Sequence, residues 1–230
     1  GEHSVYVSGN FGTLTMGDTD GAFDWALSEV AIGSAINDDH TAHGGYNGNS
    51  IYDGDYDGQI ARYDYSFGDF AFAVSAELDD SGVGDPGFQI GGRYSGDIGG
   101  VNLAVGLGFG QSDIGGNTQD EFGVSIRAQF AGGFEAIFNY SDLGDSDRGG
   151  VSEEHMAIGF GYSMDALTIG VNWGEYTEGA STQDGYGLAV NYDLGGGAVA
   201  QFGYGSTQNC GVYAGCTVGD TFSLGLAMSF

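Results

Sequence analysis

Lysine is absent from the sequence, and its four arginines stand against 32 acidic residues for a net charge of −28. Phosphate binding needs clustered cations, so a nucleic-acid partner is excluded. Proline is nearly absent too, at one residue, whereas glycine reaches 47. That imbalance without a triplet repeat excludes collagen, and 14 Tyr with 15 Phe are too many for a Gly-rich disordered chain. No run of about 18 apolar residues occurs, which excludes a transmembrane helix. It leaves open a membrane strand, which needs only about 9–11 residues with alternate positions apolar. The opening Gly1-Glu2-His3-Ser4 has neither a basic n-region nor an apolar h-region, so a mature form or a fragment is expected. Cysteine is scarce as well. Cys210 and Cys216 are close enough for a small disulfide ring suited to an oxidising compartment, with two free thiols as the alternative. A zinc site would need two further soft ligands nearby, and none is there.

What the chain has in abundance is period-2 alternation. Ala61, Tyr63, Tyr65 and Phe67 fall on one face, with Arg62, Asp64 and Ser66 on the other. Phe122, Val124, Ile126, Ala128 and Phe130 oppose Gly123, Ser125, Arg127 and Gln129 in the same way. Repeated from Val5 to the C-terminus, the pattern predicts about thirteen strands. At the strand centres all the charges, Arg62, Asp64, Glu77, Arg93, Arg127 and Glu135, lie on a face otherwise made of Gly, Ser, Asn and Ala. The opposite face is bulky and uncharged. A soluble sandwich would reverse this, burying its apolar face and covering the other with Lys, Glu and Thr. Here the small polar face suits the wall of a water-filled lumen. Tyr63, Tyr94, Tyr140, Tyr162, Trp173, Tyr192 and Tyr204 lie near strand ends in the apolar register, where interfacial girdles belong. The predicted fold is all-β, a transmembrane antiparallel barrel forming a single domain over residues 1–230. Phe122, Val124, Ile126, Phe130, Leu224 and Leu226 are expected to face lipid.

One segment, Asp18 to Gly58, breaks the alternation. It holds nine acids and no cation. A loop of this length inside a compact domain is usually functional or disordered. The expectation is that it folds into the barrel and narrows it, with Asp18, Asp20, Asp24, Glu29, Asp38 and Asp39 forming the acidic side of the constriction. Phe23, Ala26, Leu27 and Val30 mark one face of a short helix pressed against the wall, with Asp20 as its cap and Asp24 and Glu29 toward the channel, an irregular solvated loop being the alternative. Asp53, Asp55 and Asp57 with Gly58 match the start of a calcium-loop pattern, although position 12 is Asp64 rather than Glu and no flanking helices are visible. A looser Ca²⁺ site at these three carboxylates stands beside the alternative of a hydrated acidic turn. His40 and His43 read as polar loop residues rather than metal ligands. No nucleophile–base constellation or phosphate-binding glycine loop is recognisable, so no enzyme is expected.

The stretch Val5-Tyr-Val-Ser-Gly-Asn-Phe-Gly-Thr-Leu-Thr-Met-Gly-Asp18, the acidic segment after it and the terminal Phe230 together resemble the general-diffusion porins of Gram-negative bacteria, most closely the Rhodobacter-type porins of alphaproteobacteria. The resemblance spans essentially the whole chain. It implies a sixteen-stranded barrel of which this chain starts at what looks like the fourth strand, the first three being absent. It also implies that residues 18–58 are the inward-folded constriction loop and that Phe230 is similar to the signal read by the outer-membrane barrel assembly machinery. Passive passage of small hydrophilic solutes, a homotrimer and a location among outer-membrane lipid and lipopolysaccharide follow from the same likeness. In the family, the arginines facing the loop come partly from strands near the N-terminus, and that cluster is not represented here. A non-conducting barrel serving as an anchor or adhesin is the alternative. A calcium-binding β-solenoid is not, because it needs a tandem Gly-Gly-x-Gly-x-Asp repeat.

Overall fold

A computed structural model describes residues 3–33, 41–46, 48, 59–78, 86–114, 117–146 and 151–229. A short hairpin, β1 (Ser4–Gly9) and β2 (Gly12–Gly17), leads into a single helical turn, α1 (Ala22–Ala26). After the inward segment come β3 (Ile60–Phe67), β4 (Phe70–Glu77), β5 (Gly87–Ile98), β6 (Val101–Ile114) and β7 (Asn117–Gln129). The series continues through β8 (Phe134–Ser146), β9 (Val151–Met164), β10 (Leu167–Glu178), β11 (Ser181–Gly195), β12 (Ala198–Cys210) and β13 (Gly219–Met228). All thirteen form one sheet in chain order, each antiparallel to its neighbours. Among the described residues, β1 and β13 each have one paired edge.

The turns explain the order. Ile98 pairs with Val101 across Gly99 and Gly100, whose φ angles are 67° and 88°. A two-residue hairpin of this kind needs positive φ at both central positions, which glycine supplies without strain. The turns from β1 to β2, β3 to β4 and β5 to β6 are short and share one end of the sheet. The inward segment and the disulfide loop lie at the other.

Several strands are taller than alternation alone suggests. Residues 142–154 read as a loop, yet β8 runs to Ser146 and β9 starts at Val151, with Asp142 opposite Glu154. Likewise β10 and β11 stay paired up to Glu178 opposite Ser181. In these extensions the inner face is covered yet largely polar, with Glu153 and Gln183 buried, and the outer face carries Asp142 and Glu154, so the hydrophobic pattern vanishes while the backbone ladder continues.

The two faces separate as expected. Phe222 and Leu224 of β13 are 78 % and 79 % exposed, and Phe122, Ile126, Phe130 and Leu226 also lie on the open apolar face. Val124 shares their register and is half-exposed. Ring pairs stand on this face toward both ends, Phe134 with Tyr162 at 4.7 Å and Tyr186 with Tyr204 at 6.3 Å. On the other face Ser125, Asn139 and Ser141 are fully buried. What covers that wall is not a second sheet. The apolar cluster Val30, Ile32, Tyr46, Ile137 and Ala157 joins the inward segment to β8 and β9.

Candidate functional site

The site is built from the inward segment and the wall that receives it. α1 is shorter than the spacing of its apolar residues predicts, and its cap is Gly21, not Asp20. The wall supplies the missing acceptors. Ser75 Oγ accepts the Ala22 N–H at 2.8 Å, and Gln89 Oε1 accepts that of Phe23 at 2.9 Å. A helix whose first N–H groups are satisfied by neighbouring strands has no need of its own capping side chain. Past Ala26 the chain straightens, and Ser125 Oγ accepts the Ser28 N–H at 2.8 Å. Phe23, Ala26, Leu27 and Val30 are all buried, as the apolar spacing requires, though Val30 lies beyond the helix.

Glycine on the wall makes this fit. A Cβ at Gly108 would come within 2.7 Å of the Phe23 ring, and one at Gly123 within 2.5 Å. At Gly170 a Cβ would overlap the Ile32 carbonyl oxygen, and at Gly174 that of Gly45. The small-residue face that reads as a lumen lining is, along β6 to β10, a seat for the segment.

The return limb, residues 41–46, docks further round. Thr41 shares a hydroxyl contact with Ser223, and Thr207 Oγ1 accepts the Gly44 N–H at 2.8 Å. Gln183 donates to the Gly44 carbonyl at 2.8 Å. Tyr46 Oη accepts the Val30 N–H at 2.8 Å, tying the two limbs together. His43, expected to be a polar loop residue, is buried and hydrogen-bonded to Asn172 at 3.0 Å. Burial holds its pKa below the ordinary histidine value, against the opposing Asn172 hydrogen bond and Asp184 charge. Burial likewise pushes the Tyr46 phenol well above its usual value, with Glu29 adding to the rise. Cys210 and Cys216 form a disulfide, with Cα atoms 5.4 Å apart. Inside its loop, the Tyr213 N–H donates to Gln183 Oε1 at 3.1 Å, and the Tyr213 ring packs edge-on against Tyr176 at 5.2 Å.

The charges divide unevenly. Asp18, Asp20 and Glu29 are exposed, while Asp24 is half-buried rather than turned fully to the channel. Arg62 of β3 donates to the Asp20 carbonyl at 2.6 Å and sits between the carboxylates of Asp20 at 4.0 Å and Asp64 at 3.7 Å. Arg127 of β7 pairs with Glu135 of β8 on the wall itself. Arg93 of β5 has a different neighbour. Its guanidinium lies 3.8 Å over the Trp25 ring and donates to the Trp25 carbonyl at 3.1 Å. Glu77 is buried in the wall at the end of β4. Asp38, Asp39, His40, Asp53, Asp55, Asp57 and Phe230 lie outside the described residues. Among the described residues no group of three or more His, Cys, Asp or Glu is placed to hold a metal.

Trp25, Tyr46, His155 and Asn172 were not legible as site residues. A signal existed for the last two. In the inner register of β9 and β10 they are large polar side chains among Gly159, Gly161, Gly170 and Gly174.

A wall of antiparallel strands with an apolar outer face and an acidic segment seated inside is the architecture of a membrane channel. A Gram-negative porin family model matches residues 1–211. The chain belongs to the Gram-negative porins. The fold agrees with solved porins at low sequence identity. A porin refined at 1.8 Å is 18 % identical, with a TM-score of 0.69 over 99 % of this chain and 80 % of that one. An anion-selective porin from Comamonas acidovorans is 18 % identical, with a TM-score of 0.61 over 99 % and 77 %. A mutant of the Rh. blastica porin is 22 % identical, with a TM-score of 0.64 over 99 % and 76 %. Comparison with curated protein sequences yields no match. As a porin this is an outer-membrane channel protein and not an enzyme.

Proposed function

We propose that this porin passes small hydrophilic solutes and ions by passive diffusion, and that its inward segment makes the narrow zone cation-preferring. The observation that carries the reading is the imbalance of charge at the docked segment. Asp18, Asp20 and Glu29 are exposed, while Arg62 and Arg127 are each within ion-pair reach of a carboxylate. Arg93, by contrast, is held 3.8 Å over the Trp25 ring, closer than Arg62 at 5.9 Å, and donates to the Trp25 carbonyl. Selectivity in a channel of this kind follows from its diameter and the charges at the narrowest part. The test is conductance in planar bilayers under a salt gradient. Discrete open steps and a reversal potential on the cation side are expected. Removing one unpaired charge is worth about 1 kcal/mol at roughly 4 Å in a water-like medium. Arg93→Gln should therefore raise the cation-to-anion permeability ratio by up to about fivefold. A silent bilayer would favour the anchor or adhesin reading, and an anion preference would overturn the selectivity.

The same reading takes the protein as a homotrimer in lipid and lipopolysaccharide, inserted by the barrel assembly machinery. It also takes Asp53, Asp55 and Asp57 as a Ca²⁺ site. Three carboxylates in one short turn repel unless a cation sits between them, and Mg²⁺ substitutes poorly because it surrenders its waters reluctantly. Channel noise is expected to fall in calcium relative to chelator. An Asp53/Asp55/Asp57→Asn triple variant responding to calcium like the wild type would remove the site.

A further inference from the structure

Two histidines hold one glycine. The Gly45 N–H donates to His43 Nδ1 at 3.2 Å, and the Gly45 carbonyl accepts from His155 Nε2 at 3.2 Å. Gly45 also meets the wall closely, since a Cβ there would overlap the Gly174 carbonyl oxygen. His43 and His155 are 5 % and 1 % exposed. We propose that this pair is an acid-labile clasp, by which lowering the pH on the long-loop side releases residues 41–46 from the wall and changes the channel.

The hydrogen bonds assign the protons. Asn172 Nδ2 donates to the Val30 carbonyl at 2.9 Å, so its Oδ1 is the atom facing His43 Nε2. His43 Nε2 must then carry a proton. A backbone N–H can only donate, so Nδ1 must be bare. His43 is therefore the neutral tautomer with both ring nitrogens committed. A second proton would set an N–H donor against the Gly45 N–H and leave a cation in a buried site. The first opens the His43–Gly45 turn that shapes the docked limb, the second favours its release to water, and burial already holds the His43 pKa down.

Other charged and titratable groups lie on the elements around the clasp, and Asp184 is the one whose charge acts on His43. From β11, Asp184 favours the imidazolium, but its carboxylate also accepts from Asn209. From β9, Glu153 accepts from the Tyr213 hydroxyl, and His155 lies between the rings of Tyr46 and Tyr176, at 5.6 and 4.1 Å. From the inward segment, Glu29 acts on Tyr46. On the far side Asp220 of β13 accepts from Ser206. None of these hydrogen-bonds to His43 itself in place of Gly45 or Asn172.

The sign follows. Above about pH 6.5 the docked and released limbs are both neutral at His43, and docking is independent of pH. Below it the released histidine takes up a proton that the docked one refuses, so the docked-to-released ratio falls by up to about tenfold per pH unit.

The inference rests on the channel reading for its consequence but not for its test. Amide hydrogen exchange of the wild-type protein in lipid, corrected for intrinsic rates, is to be followed through residues 41–46 between about pH 7 and 5. Loss of protection in that peptide, with the strand peptides unchanged, is expected. Unchanged protection overturns the clasp. In bilayers the wild type should change conductance or noise reversibly over the same range. His43→Gln keeps one donor and one acceptor without titrating, so the response should shrink, and with His155→Gln added it should disappear. A double variant that responds like the wild type also overturns the proposal. If the variants do not fold, the exchange measurement decides. A barrel that conducts nothing yet loses protection keeps the clasp and discards the channel.

Discussion

Gly170→Val is expected to lift the inward segment off the wall and raise single-channel conductance, while Gly225→Val changes neither. Both glycines lie on the inner face of a strand. A Cβ at Gly170 runs into the Ile32 carbonyl, whereas nothing lies within 4 Å of one at Gly225. The obstacle at Gly170 is backbone, not the swinging end of a side chain, so the segment itself must move. Overpacking of this kind costs about 1–3 kcal/mol. Lifting Ile32 also returns a buried side chain to water, worth roughly 1.5–3 kcal/mol. Those sums fall on the docked segment. The barrel is spared, because Gly170 has no positive φ to protect and valine suits a strand. Conductance and protease sensitivity near residue 32 should rise together, with thermal unfolding of the barrel little changed. Equal behaviour of the two variants would mean that the segment does not sit where the wall glycines are.

A second large effect is expected on the other face. Leu107 is mid-strand in β6, opposite Gly92 and Val124, and 52 % exposed. Leu107→Arg should cost about 2–4 kcal/mol of stability in vesicles, since the guanidinium would enter hydrocarbon. Ser95→Arg places the same group on the inner face, which already holds Arg93 two residues away on the same strand. That variant should be within about 1 kcal/mol of wild type. Denaturant unfolding from lipid vesicles separates them. Equal costs would mean that the outer face does not meet lipid.

Alternation together with the turn glycines marked about thirteen strands joined in succession and the face each residue takes. These are local properties, carried by a two-residue period and by turn glycines such as Gly99 and Gly100. The apolar register from Phe122 to Phe130 was legible for the same reason, and so were the spacing of Cys210 and Cys216 and the acidity of residues 18–58. Strand height was not, because beyond the apolar belt polar side chains occupy both faces, as at Glu153 and Asp142, and Asp142 to Glu154 carries no hydrophobic period. The docking was also invisible. Asp20 stands where a cap is expected, yet Ser75 and Gln89, brought in by the wall, take the N–H groups that a cap would serve. His43 looked like an ordinary loop residue until Asn172, 129 positions away, met its ring and Gly45 met its other nitrogen. The inner glycines read as small residues lining water, but whether a glycine faces water or the carbonyl of Ile32 depends on where a distant segment comes to rest. Burial, the His43 tautomer and the seating of Arg62 and Arg93 against the inward segment were decided by contacts across the chain, and a period of two residues carries no information about those.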